Sequence, residues 1–117
     1  MKKSIFAFAG LLLLLGTFLS TAVFAEDHTK AALEHASAAV DAGKAGKSET
    51  LVEHAKLAME HTLAAAITAK SIPKGHLDAA AKELQDTIDH GNLGHADVAT
   101  THAEAAVEHI KAATSSK

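Results

Sequence analysis

The chain has 117 residues, and all four Phe lie within the first 25, so Glu26–Lys117 is a stretch of 92 residues without Phe, Tyr, Trp, Cys or Arg. Those 92 residues hold 9 Lys, 14 Asp plus Glu, and all nine His. One small domain with no large side chains excludes a big hydrophobic core. A mildly acidic chain without Arg speaks against nucleic acid as a partner, and the lack of Cys excludes disulfides, thiolate metal sites and a Cys nucleophile.

Residues 1–25 have the order of a secretory signal peptide. Lys2 and Lys3 precede an apolar run from Ile5 to Leu19, and the segment ends on small residues with Val23 and Ala25 at the −3 and −1 positions. The expectation is cleavage after Ala25 and a domain of residues 26–117 in the periplasm, with no membrane segment after cleavage.

From Glu26 onward Ala supplies 23 residues, with Leu, Glu and Lys among them, which is a strong helix composition. Gly, Pro and Asn cluster at 43–46, 71–75 and 91–94, which predicts helices at about 27–42, 48–70, 75–90 and 95–113. Asp27 and Ser48 suit N-caps, Gly43 and Gly91 suit the left-handed position after a helix, and Pro73 fits only at or before a first turn. Apolar stripes of helical period run through Leu33, Ala36 and Val40, then Leu51, Val52, Ala55, Ala58, Met59, Thr62 and Ala66. They continue through Leu77, Ala80, Ala81, Leu84 and Ile88, then Ala99, Ala103, Ala106, Val107 and Ile110.

An offset of 48 residues brings the chain into register with itself. His28, Asp41, Gly43, Gly46, His54, Glu60 and His61 recur as His76, Asp89, Gly91, Gly94, His102, Glu108 and His109. Two copies of a helix, Gly-x-x-Gly loop, helix unit follow. A single hairpin buries too little surface to stand alone, so the expected fold is all-α, an antiparallel up-down-up-down four-helix bundle built from two repeated hairpins.

The histidines recur in sevens: His28 and His35, His54 and His61, His95, His102 and His109, with His76 and His90 fourteen apart around Glu83. Each helix therefore presents one line of imidazoles at the edge of its apolar stripe. Seven residues are ~10.5 Å of helix, too far for two rings of one helix to hold one ion, so chelation must come from two helices or across a loop. Folding each hairpin about its loop pairs His28 with His61, His35 with His54, His76 with His109, Glu83 with His102 and His90 with His95. With the opposite hairpin handedness, the lines face the grooves between the second and third and the fourth and first helices. Acidic residues directly before six of the His offer outer hydrogen bonds or an occasional oxygen ligand, and Asp86 stands one turn before His90.

Imidazole with carboxylate and water suits Cu(II), Ni(II) or Zn(II), and the Irving–Williams order puts Cu(II) first. The expected metal ligands are thus His28, His35, His54, His61, His76, His90, His95, His102, His109 and Glu83. The other reading is a structural or chaperone-like envelope bundle with incidental His. An enzyme is not expected, because equivalent edge sites without a nucleophile or oxyanion donor do not assemble a reaction centre.

The stretches Leu33-Glu34-His35-Ala36, Leu51-Val52-Glu53-His54-Ala55-Lys56, Asp89-His90-Gly91 and Gly94-His95, with His102-Ala103-Glu104 and Glu108-His109, resemble the small metal-binding protein family. That resemblance covers Glu26 onward and implies an exported four-helix binder of several divalent ions, copper foremost, that buffers copper or confers tolerance to it; a monomer is expected. The nine His match His of the family pattern, while Ala42, Lys47 and Glu83 stand where it has further His, which empties the loop site of the first hairpin.

Overall fold

The computed structural model describes residues 25–116, with side chains from His28 onward; the leader and its cleavage position fall outside these residues apart from Ala25. Four helices follow in order: α1 (Ala25–Lys44), α2 (Ser48–Thr68), α3 (Ser71–Asn92) and α4 (Ala96–Ser115). The described residues contain no strand. None of their helices is long and apolar enough to cross a membrane.

Each helix packs on the one before and after it in the chain, and α4 returns to α1, which closes a four-helix bundle. Contacts rise in number along one helix as they fall along its neighbour. His28 meets His61 while His35 meets His54, and Thr29 shares a cleft with Ala113 while Gly43 lies against Thr100.

The core is mostly methyl groups. Ala32, Ala36, Ala39, Ala55, Ala58, Ala80, Ala99, Ala103 and Ala106 are fully buried around Leu51, Leu84 and Ile110. Such side chains let helix axes approach closely but release little apolar surface, at roughly 25 cal/mol per Å². The predicted stripes are buried as expected, except that Leu33, Met59 and Ala81 are only partly covered. Thr62 and Thr87, fully buried, turn their hydroxyls back to Ala58 and Glu83 carbonyls one turn earlier, at 2.7 and 2.8 Å.

The loops correct the predicted glycine roles. Gly43 and Gly91 are not left-handed caps: α1 and α3 run one residue past them, and the left-handed residues are Gly46 (φ 74°) and Gly94 (φ 77°). Both loops use the same pair of bonds. In the first, the Gly46 amide donates to the Gly43 carbonyl at 2.9 Å and the Lys47 amide to Ala42 at 2.9 Å. In the second, Gly94 donates to Gly91 at 3.0 Å and His95 to His90 at 2.9 Å. This is the Schellman motif, with glycine where a Cβ would be strained. Gly43 and Gly91 serve packing instead: a Cβ on Gly43 would overlap the Thr100 hydroxyl, and one on Gly91 would stand 2.5 Å from a Val52 methyl.

The predicted caps also shift. Helix α1 starts before Asp27, and Ser48 is the first residue of α2, whose N-cap Lys47 makes no side-chain cap bond. Pro73 sits in the first turn of α3, where its missing N–H costs nothing.

Candidate metal centre

Each groove within a hairpin, between α1 and α2 and between α3 and α4, holds one line of imidazoles. The grooves between α2 and α3 and between α4 and α1 do not, which settles the handedness left open by periodicity.

In the α1–α2 groove, four rings form a continuous row. His28 and His61 face each other with Nδ1 atoms 3.1 Å apart, and His35 and His54 with Nδ1 atoms 3.4 Å apart. His35 also stacks on His61, centroids 5.7 Å apart and planes 2° from parallel. Two nitrogens on one ion at 2.0–2.1 Å stand about 2.8–3.4 Å from each other for square or tetrahedral angles. Both rungs have that spacing. Without metal, one ring of each pair donates its N–H and the other accepts, in complementary tautomers.

The electrostatics favour the neutral form of three of these rings, His35, His54 and His61. Burial holds His35 down at about 4, and the neighbouring His54 and His61 add to the shift. Burial lowers His54 too, against a pull upward from Glu53. His61 is lowered by burial and by His28, with Glu60 opposing. A neutral imidazole has a lone pair free to bind metal, so burial maintains the ligand form.

In the α3–α4 groove, His76 meets His109 with ring centroids 6.0 Å apart, and His90 meets His95 at 5.9 Å. The latter pair occupies the two residues joined by the longer Schellman bond, so the loop itself brings the rings together. The equivalent positions in the first hairpin are Ala42 and Lys47. His90 stacks on His102 at 5.4 Å, and its buried Nδ1 has no hydrogen-bond partner.

Between these two rungs the character changes. His102 Nδ1 lies 2.7 Å from Glu83 Oε2 and 3.9 Å from Asp86 Oδ2. Ligand atoms of Glu83, Asp86 and His102 all fall within 4.8 Å of one another, a group able to hold a metal ion. Asp86 was not among the expected ligands. Its i, i+3 spacing from Glu83 puts both carboxylates on one face of α3, a spacing visible in the sequence, while the approach of His102 that completes the group is not.

The ten side chains thus stand in the five pairs that folding about the loops predicts. An apolar cleft of about 420 Å³ beside Ile72, Pro73, Leu77 and Ala113 is lined by no imidazole among the described residues.

A four-helix bundle with facing imidazoles and carboxylates in its grooves is a metal-binding scaffold by its chemistry. The sequence pattern of the small metal-binding protein family matches residues 1–113, and the chain belongs to that family. No individually curated protein matches it.

Proposed function

We propose that the protein is a non-enzymatic, multi-site buffer of divalent metal ions in the periplasm, with Cu(II) preferred and Ni(II) and Zn(II) also taken, acting in copper homeostasis or tolerance as a monomer. The observation that carries this reading is the row of paired Nδ1 atoms 3.1 and 3.4 Å apart in the α1–α2 groove. Such a spacing needs little rearrangement to accept an ion.

Each rung supplies two protein ligands and leaves coordination positions to water or a neighbouring ring. That suits reversible loading of several ions better than one tightly enclosed site. Nitrogen donors favour the late ions of the Irving–Williams order, which supports Cu(II) first. The periplasmic assignment rests on the charged, apolar and small-residue order of residues 1–25.

Native mass spectrometry during titration with Cu(II), Ni(II) and Zn(II) tests the proposal by reporting stoichiometry and preference together. The expected result is stepwise uptake of several ions, Cu(II) at the lowest concentration. A thermal melt unmoved by Cu(II) would refute it, because ion bound only to the folded state at 100 times its dissociation constant contributes ~2.7 kcal/mol.

A further inference from the structure

We propose that the two grooves differ in kind: the α1–α2 groove is an all-imidazole site for Cu(II), whereas Glu83, Asp86 and His102 in the α3–α4 groove form an oxygen-rich site for a harder divalent ion, for which Mn(II) is the probe. The inference deepens the metal-buffer reading and rests on it.

The offset of 48 makes the contrast sharp. Positions 35, 38 and 54 carry His, Ala and His; their counterparts 83, 86 and 102 carry Glu, Asp and His. Two carboxylates therefore replace one imidazole and one methyl group around the same histidine. The first groove offers neutral nitrogens, the second two anionic oxygens and a nitrogen within 4.8 Å. Among the described residues no lysine pairs with Glu83 or Asp86, so their charge is met only by the His102 ring.

Hardness decides what each arrangement prefers. Mn(II) stands at the weak end of the Irving–Williams order and is suited by carboxylate, carbonyl and water. A groove of neutral imidazoles offers it little, while two carboxylates add direct charge attraction. Cu(II) gains most from nitrogen. Asp86 is the most exposed of the three, 40% at its side chain, so it can rotate the short distance needed to close on an ion beside Glu83 and His102. The unpartnered His90 Nδ1 lies in the next ring along, available as a further nitrogen donor.

The test is electron paramagnetic resonance of the protein with Mn(II) and Cu(II), separately and together, with helical circular dichroism as the folding control. Wild type is expected to bind one Mn(II), visible as loss of the free six-line signal, while Cu(II) shows nitrogen hyperfine structure. Glu83→Gln with Asp86→Asn should weaken Mn(II) binding at least tenfold and leave Cu(II) in the α1–α2 groove. His35→Glu with Ala38→Asp should create a second Mn(II) site. If the wild type binds Cu(II) but its Mn(II) affinity is absent or stays within twofold in the Gln/Asn variant, the selectivity is overturned and the buffer reading stands. Failure to bind either ion overturns both.

Discussion

His35 and His54 face each other across the α1–α2 groove with their Nδ1 atoms 3.4 Å apart, and the His35 ring lies flat against His61 on its other side. One half-buried imidazole is thus held between two others, and protonating it would place a charge beside two rings that prefer neutrality.

A dependence of stability on pH follows. His35 titrates at about 4 folded against 6.5 ordinarily, and His54 and His61 shift the same way. The unfolded chain therefore binds these protons more readily. The stability contributed by the neutral rings is fully present above about pH 6.5 and is lost as pH falls toward 4. The metal-free melting temperature should drop between pH 7 and 4.5, and His35→Gln should flatten that slope. Thermal melts followed by circular dichroism across this range check it.

The rungs make double substitutions informative. His90→Ala and His95→Ala should each remove the same single Cu(II), and the double variant should lose no more. His28→Ala and His54→Ala, on different rungs, should lose independently. Isothermal calorimetry distinguishes the two patterns, and additive loss for 90 and 95 would contradict a shared site.

The empty loop position of the first hairpin can be filled. Ala42 and Lys47 are joined by the same backbone bond as His90 and His95, so Ala42→His with Lys47→His should raise the Cu(II) count by one. Native mass spectrometry reads the added mass directly.

Gly43 and Gly91 should tolerate no side chain. Alanine at either position must displace Thr100, Leu51 or Val52, at a cost of about 1–3 kcal/mol for an overpacked contact. Gly46→Ala, where nothing touches the site, should cost only about 1–2 kcal/mol for its left-handed backbone. Urea denaturation measures all three.

Metal should compensate for core damage. Leu51 is one of the few large, fully buried side chains, and Leu51→Ala should cost about 2–5 kcal/mol. Saturating Cu(II), worth ~2.7 kcal/mol at 100 times its dissociation constant, should restore much of that in a melt.

Helix count and core stripes were legible because they depend on spacing, 3.6 residues per turn, and the five side-chain pairs because a step of seven folded about a loop pairs them for one of the two hairpin hands. The caps were not. Gly43 and Gly46 are equally glycine in sequence, and only the close approach of α4 at Thr100 distinguishes a packing glycine from a left-handed one. Asp86 went unassigned for a related reason. Its role depends on where the His102 ring points, a matter of side-chain rotamers that residue spacing does not specify.

The alanine core sets the bite of every rung. Imidazoles on neighbouring helices meet at ligand distance because methyl groups such as those of Ala36, Ala55, Ala80 and Ala103 keep the backbones near one another. The interior is in that sense a ruler, and larger residues there would spread the jaws of sites they never touch. Substitutions that thicken the centre are therefore expected to alter metal affinity in the grooves from positions that no ion approaches.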